Sequence, residues 1–422
     1  MRRSIATISA VGLAFTIAAC GGTGEAKTET AAPSEAATTA ESAAPSDDTA
    51  GAEGGITIWA DDTRYESITE FSKGFTEKFG APVEVVKKSP DDIAKEFIAA
   101  VPTGKGPDIV ITAHDRLGGF VTNGVVGTVD ITGIKDNFLK SAVDGVTYDG
   151  QTYGVPYAIE NIALIRNNKL TQAEPKTFDE MVAAGKESGA KFPFMVQQGE
   201  NSDPYHMYPF QSSFGASVFK QNADGSYSPE LNMGGEAGAK FATWLGEQGA
   251  AKNFDISADG EIAKQAFLAG ETPFIVTGPW NLKAFLEAGL DVSVINVPQA
   301  GDQPAQAFVG VQAFFPSAKT DNPLVVNQYL TEYVGSEEGA KALYELDKRI
   351  PAYKKLADSL DDKHLAGFAA FGSNSAPMPA LPQMDAVWDH WGKAEAAIIK
   401  GTADPAATWE QMVNTVAEAI KK

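Results

Sequence analysis

The order strand, helix, strand, helix, strand over residues 56–111 predicts an α/β fold, an open and mainly parallel sheet with helices on both faces. Three observations carry this reading. Ile56-Thr57-Ile58-Trp59 is a short β-rich run. Ile68, Phe71, Phe75 and Phe79 recur at spacings of three and four, which predicts an amphipathic helix over 64–79. Short strands at 82–86 and 108–111 then enclose a helix over 91–101, which Pro102 and Gly104 end. In such sheets ligands bind beyond the carboxyl ends of the strands. Asp61, Asp62 and Arg64 follow the first strand, and residues 112–116 follow the third, so both groups fall at a prospective cleft.

Later segments repeat the alternation. Helices are expected at 178–188 and 237–245, where Phe241, Trp244 and Leu245 share a face, and strands at 192–196 and 273–276. The C-terminal part reads as helices at 323–333, 337–346, 385–399 and 405–420. No short repeat period is visible, which disfavours a solenoid.

The 422 residues have room for two or three domains, and 43% hydrophobic residues supply an ordinary globular core. A net charge of −21 argues against a nucleic-acid partner, since phosphate binding needs clustered Lys and Arg. Cys20 is the sole cysteine, so no intramolecular disulfide forms. The four histidines are scattered without metal-ligand spacing, and no metal site is expected. The sequence has no Gly-x-Ser-x-Gly elbow, no Walker A loop and no His-Glu-x-x-His, so neither catalytic residues nor a cofactor are expected. Gly104-Lys105-Gly106-Pro107 reads as a turn before a strand, and Asn222-Ala223-Asp224-Gly225 as a hairpin turn.

Arg2 and Arg3 precede an apolar stretch over 5–17 that is too short for a comfortable membrane span. Its end, Ile17-Ala18-Ala19-Cys20 followed by Gly21-Gly22, resembles a bacterial lipobox. That resemblance implies a signal peptide over 1–19, cleavage before Cys20 and a lipid on its sulfur. The protein is then expected on the extracellular face of the cytoplasmic membrane. Residues 20–53 are rich in Ala, Thr, Ser, Glu and Pro and hold no aromatic residue, so they read as a disordered tether roughly 30 Å from end to end.

Aromatic residues bear on the ligand. Trp280 follows a strand in Gly278-Pro279-Trp280, a tight turn suited to presenting an indole at a cleft rim. Trp388 and Trp391 are three apart and share a helix face. Carbohydrates need flat apolar surfaces for C–H faces and fixed polar groups for hydroxyls. Trp59 and Trp244 read as core residues.

From residue 56 to the end, the chain resembles the maltose/maltodextrin-binding proteins of ABC importers. The resemblance is carried by Gly106-Pro107-Asp108-Ile109, Ala113-His114-Asp115-Arg116-Leu117-Gly118-Gly119, Pro156-Tyr157-Ala158-Ile159-Glu160, Asp203-Pro204-Tyr205, Gly278-Pro279-Trp280, Phe308-Val309-Gly310-Val311 and Met378-Pro379 with Pro382-Gln383-Met384 before Trp388. It implies a two-lobed periplasmic-binding-protein-like fold with a sugar cleft between the lobes, each lobe a sheet flanked by helices. The lobes are expected at 54–159 with 296–333, and at 160–295 with 334–422. Carried across, Asp115, Arg116, Glu160 and Asp203 would hydrogen-bond sugar hydroxyls, and Tyr205, Trp280 and Trp388 would stack on sugar faces. Asp62 and Arg64 fall near the family's acidic-basic pair after the first strand. The implied partners are an oligosaccharide and the permease subunits of an importer, the protein itself being a monomer. One departure concerns Thr112, where a familiar member of the family carries a stacking tryptophan. Its loss suggests longer or differently linked glucans, or a gap filled by Trp391. Paired carboxylates and aromatics also describe a glycosidase cleft, and another sugar or a polyol is a further alternative. The full-length resemblance favours binding without catalysis.

The lipobox reading yields a direct test. Cys20→Ser should release the protein from membranes while leaving its sugar affinity unchanged. Metabolic lipid labelling that persists in the Ser variant would contradict anchoring at Cys20.

Overall fold

A computed structural model of the protein describes residues 54–222 and 226–421. The signal segment, Cys20, the tether and residues 223–225 of the expected hairpin turn lie outside these residues. The strand Ile56–Asp61 is buried at every position except Thr57, as befits a strand covered on both faces. It pairs in parallel with Val83–Lys88 on one side and Ile109–Ala113 on the other. Between them, the helix Tyr65–Phe79 buries Ile68, Phe71 and Phe75 and ends at Gly80, whose φ of 77° closes the last turn. The second helix, Ile93–Ala100, tightens into a 3-10 turn at Val101–Thr103 and stops at Gly104. The parallel β-α-β-α-β unit is therefore present, with ends within two residues of those read from the sequence.

Distant segments complete this sheet. Phe308–Pro316 pairs antiparallel with Ile109–Ala113, Val155–Glu160 pairs with Phe308–Pro316, and Ile350–Pro351 forms the edge beyond it. A second sheet has the order Val292–Ile295, Ala163–Asn167, Phe274–Thr277, Met195–Val196. The strand expected at 192–196 shrinks to its last two residues, because Pro193 has no ladder donor. The helix Phe178–Glu187 beside it begins with a capping box between Thr177 and Glu180. The expected helix at 323–333 is Pro323–Asn327 continuing as a π-helix, Gln328–Val334. That at 385–399 divides into a 3-10 turn, Pro382–Ala386, and the helix Trp388–Ile399. Strands Phe219–Gln221 and Tyr227–Leu231 pair antiparallel on either side of the 222–225 segment.

Each sheet has its own core. Around the first sheet, Ile58, Phe71, Phe75, Ile109, Phe314 and Tyr329 pack on one face, and Trp59, Phe97, Val110, Phe120 and Phe315 pack on the other. Phe178, Phe210, Phe241, Phe274, Trp391 and Trp409 belong to the core of the second. Trp244 is half-buried against that core, its ring centroid 5.0 Å from Phe178. Two sheets with two cores make a two-lobed molecule.

The cores also place the lobe boundaries, and not where the sequence suggested. Val297, Ala305, Ala307 and Phe308 belong to the second core, so the chain does not return to the first lobe at 296. It returns inside the strand Phe308–Pro316, since Val311 already packs in the first core. Ala340, Leu343, Ala352 and Tyr353 also belong to the first core, so the boundary at 334 moves beyond Tyr353. Leu365 is back in the second. Apolar periodicity shows that a helix is buried on one side, but not which of two cores accepts that side.

Close packing between helix and loop sets limits on substitution. A methyl at Gly185 in the helix Phe178–Glu187 would stand 2.1 Å from Pro193 O, a backbone atom with no freedom to yield. Gly185→Ala should therefore lower stability by about 1–3 kcal/mol in denaturant unfolding. An unchanged midpoint would show that the 188–194 connection gives way freely.

Candidate functional site

The site begins at the carboxyl end of the first strand. Arg64 is buried and donates from Nε to the Tyr157 hydroxyl at 2.9 Å, from Nη2 to Glu160 Oε1 at 2.9 Å, and from Nη1 to Asp61. The acidic partner of Arg64 is thus Asp61, whereas Asp62 is exposed and stands outside the cluster. Of the two residues expected here, Arg64 therefore lies in the cluster and Asp62 on the exposed turn beside it. Asp61 ends the strand pointing inward, while the tight turn that follows directs Asp62 to solvent. Glu160 closes the cluster from the strand Val155–Glu160. Its Oε1 also accepts from Gln312 Nε2, and its Oε2 accepts from Arg349 Nη1. Arg349 Nε lies 2.6 Å from Asp347 Oδ2. Three carboxylates and two guanidiniums are thereby packed together with little access to water. Burial pulls the Arg64 guanidinium down, but Asp61, Tyr157 and Glu160 more than offset it, so Arg64 holds its proton above the ordinary range. Arg349 behaves likewise, with Asp347 and Glu160 as its main supports against burial.

A second group follows the third strand. Burial raises the Asp115 carboxyl, opposed by Arg116 and by the Trp388 indole. Arg116 donates to Asp385 Oδ1 at 3.0 Å, approaches Asp115 Oδ2 at 3.3 Å and lies 5.8 Å from the Trp388 ring centre. Gly118 and Gly119 allow this approach, because methyls there would meet Ala380 O at 2.7 Å and Asp385 Oδ2 at 2.1 Å. Since Leu117 belongs to the first core and Met384 to the second, these contacts cross between the lobes. His114 is buried, accepts from the Val311 amide at 3.0 Å, and is pushed down to about 4 by burial, so it is neutral.

The third group lies in the second lobe. Asp203 caps the helix Pro204–Ser212 by accepting from the His206 amide, and its Oδ2 meets His206 Nδ1 at 2.9 Å and Gln197 Nε2 at 2.6 Å. Burial pushes its carboxyl up, but His206 and the other donors leave it below the usual range. Trp280 folds back over its turn, which only glycine at 278 permits, since a methyl there would stand 2.0 Å from the indole. Its ring centre is 6.0 Å from His206 and 6.4 Å from Tyr205. Phe308 lies 6.5 Å from Tyr205 and 6.2 Å from Trp388, joining the aromatic groups. The Tyr205 hydroxyl is raised well above its ordinary value by burial first, then by Glu160 and Asp203, with Arg64 opposing and Asp115 adding to the rise. One phenol thus feels charges from all three groups.

Of the residues singled out from the sequence, Arg64, Asp115, Arg116, Glu160, Asp203, Tyr205, Trp280 and Trp388 converge, and Asp62 does not. Trp391 is fully buried and stacks on Trp388 with centroids 5.6 Å apart, so it supports that indole. Thr112 is itself buried, in register with Ala313. Arg349, Gln312, Phe308, His206 and Asp385 were not found from the sequence. Arg349 had a faint signal, a cationic residue directly before the apolar Ile350-Pro351, but nothing local announces its burial. Among the described residues, no group of three or more His, Cys, Asp and Glu is placed to hold a metal ion.

Comparison with known proteins bears on the family and the fold. Residues 70–370 match the family described as bacterial extracellular solute-binding protein. A galactooligosaccharide-binding protein of Bacillus subtilis is 27% identical, over 87% of this chain and 89% of its own length. The maltodextrin-binding protein MdxE of the same organism is 26% identical, over 87% of this chain and 90% of its own. The structure of the Thermus thermophilus maltotriose-binding protein bound with maltotriose superposes with a TM-score of 0.80 at 29% identity, covering 86% of this chain and 100% of that one.

The buried cluster makes a stability prediction. Arg349→Met removes a guanidinium from both Glu160 and Asp347, and breaking a buried pair from one side costs about 3 kcal/mol. Urea unfolding at neutral pH measures it, and a loss below about 0.5 kcal/mol would show that water replaces the guanidinium.

Proposed function

Because the chain belongs to the family of bacterial extracellular solute-binding proteins, we propose that it captures a maltose-type oligosaccharide between its lobes and delivers it to the permease subunits of an ABC importer. The observation that carries the reading is the group Trp388, Tyr205 and Trp280, joined through the buried Phe308 and set beside carboxylates of both lobes and the guanidiniums of Arg64 and Arg116. Sugars present apolar C–H faces with hydroxyls around the rim, and aromatic planes beside fixed charged groups match both features. Asp115 and Arg116 serve the site from the first lobe, Asp203, Tyr205, Trp280 and Trp388 from the second, and Arg64 and Glu160 from the junction. A ligand touching both lobes stabilises the closed form, since only that form completes the site. The maltodextrin- and maltotriose-binding relatives support an α-glucan, and the galactooligosaccharide-binding relative keeps that class as a second candidate.

The protein acts without catalysis. Both oxygens of Glu160 accept from guanidinium or amide donors, and Asp203 accepts from the His206 amide and faces the His206 ring. Both carboxyls are engaged as acceptors, whereas a glycosidase acid must donate a proton. A monomer tethered through lipid at Cys20 fits this role, and among the described residues no helix is long and apolar enough to cross a membrane.

Calorimetry with maltose, maltotriose, a longer glucan and a galactooligosaccharide tests the proposal, and binding of none of them contradicts it. New reducing ends after incubation with maltotriose would contradict the absence of catalysis. Trp280→Ala and Trp388→Ala should each weaken binding by roughly 1–3 kcal/mol with the fold intact. Unaltered affinity with a large drop in melting temperature would assign these indoles to the core.

A further inference from the structure

The helix Trp388–Ile399 carries Trp388 in its first turn, then Gly392 and Glu395 at spacings of four and three, which keeps all three on one face. That face lies on the loop 197–203. A methyl at Gly392 would stand 2.5 Å from Asn201 O, and Glu395 Oε2 is 2.9 Å from Ser202 Oγ. The loop leads directly into Asp203, and Ser202 holds a φ of 59°, a left-handed conformation uncommon for serine. The segment therefore needs external support to keep its shape.

The support comes from a chain of polar groups. Ser202 Oγ is 2.8 Å from Gln198 Oε1, and Gln198 Nε2 donates to Met207 Sδ at 3.1 Å. A serine hydroxyl carries one proton. It cannot donate to Gln198 and to an ionised Glu395 together. A protonated Glu395 satisfies both contacts: its O–H donates to Ser202 Oγ, and Ser202 donates to Gln198 Oε1. Turning over the Gln198 amide would set its oxygen against the Met207 sulfur instead.

The surroundings favour the neutral acid. Glu395 has no exposed surface. Burial raises its carboxyl to about 8; Asp203 adds to the rise, and Ser202 and Trp391 oppose it. Asp203 is the charged group acting on it from the loop. His206, on the helix Pro204–Ser212, is engaged with Asp203, and Asp385, in the turn Pro382–Ala386, with Arg116. The buried faces of Gly235–Ala250 and Pro405–Ala419, which pack on this helix, are apolar.

Resting on the sugar-binding reading of the cleft, we propose that Glu395 is a positioning residue: as a neutral acid it holds the 197–203 loop, and with it Asp203, against the helix that bears Trp388, so that sugar affinity declines when it ionises. On ionisation Ser202 must turn its proton to Glu395, the link to Gln198 is lost, and a second negative charge appears beside Asp203.

Two readings of the full-length protein test this. Maltotriose affinity of the parent should fall several-fold between about pH 7 and about pH 9.5, past the carboxyl's pKa. Glu395→Gln, whose amide donates to Ser202 at every pH, should lose that decline, and Glu395→Ala should bind more weakly already at neutral pH. Identical pH profiles for parent and Glu395→Gln would overturn the proposal. The second reading needs no ligand. Between the unfolded carboxyl's value of about 4.3 and its folded value, Glu395 is protonated in the folded state and ionised in the unfolded, so its own contribution to parent stability falls with rising pH and then levels off. The melting temperature of Glu395→Gln should therefore gain on the parent as the pH rises to about 8, and no further. A gap that stays constant across that range overturns the neutral acid. Failure of the parent to bind any sugar at any pH contradicts the sugar reading alone, since the melting gap is read without ligand.

Discussion

The Glu160 carboxylate is shared between Arg64, Arg349 and Gln312 at the point where the chain passes from one lobe to the other. Glu160 is the last residue of its strand in the first sheet, and Ile162 already packs in the second core. Gly310, its partner in register, lies between Phe308 of the second core and Val311 of the first. Arg349 precedes the edge strand after which the chain crosses for the third time. One carboxylate thereby connects segments that are distant in sequence and adjacent at the junction. Burying these charges is costly, and only mutual pairing makes it tolerable. The loop after the first strand and the end of the helix Glu337–Asp347 are consequently held in one arrangement by a requirement for neutralisation.

From that junction the proposed site divides between the lobes. The first lobe supplies Asp115 and Arg116, fixed by packing around His114 and by the glycines at 118 and 119. The second lobe supplies most of the aromatic surface, with Trp391 and Phe308 behind Trp388 as its backing. Tyr208 stacks on Phe308 at 3.6 Å, which makes that backing rigid. Rigid aromatic planes bind at little entropic cost, because few rotamers are lost. The polar groups of the proposed site are likewise held by partners, which suits specific recognition of hydroxyls.

Local patterns in the sequence were informative where structure is local. The amphipathic stripe at Ile68, Phe71 and Phe75, the glycine stops and the parallel three-strand unit all follow from short-range stereochemistry. Ordered motifs spread over the folded chain made the two-lobed architecture legible, and with it most of the residues that converge in the candidate site. Contacts decided by long-range packing were not. Whether Asp61 or Asp62 faces Arg64 depends on how a four-residue turn closes. Whether the helix Glu337–Asp347 joins the first or the second core depends on the route of the chain, which its apolar face does not encode. Arg349 and Glu395 are ionisable residues whose burial becomes intelligible only once Glu160 and Ser202 stand opposite them.

The central claim is that a sugar bridges two lobes whose relation is set at the Glu160 junction. Small-angle X-ray scattering of the protein with and without saturating maltotriose tests it most directly. The account predicts a smaller radius of gyration with the sugar, through closure of the cleft, and a reduced change in a Glu160→Gln variant. Superimposable scattering curves with and without bound sugar would contradict it.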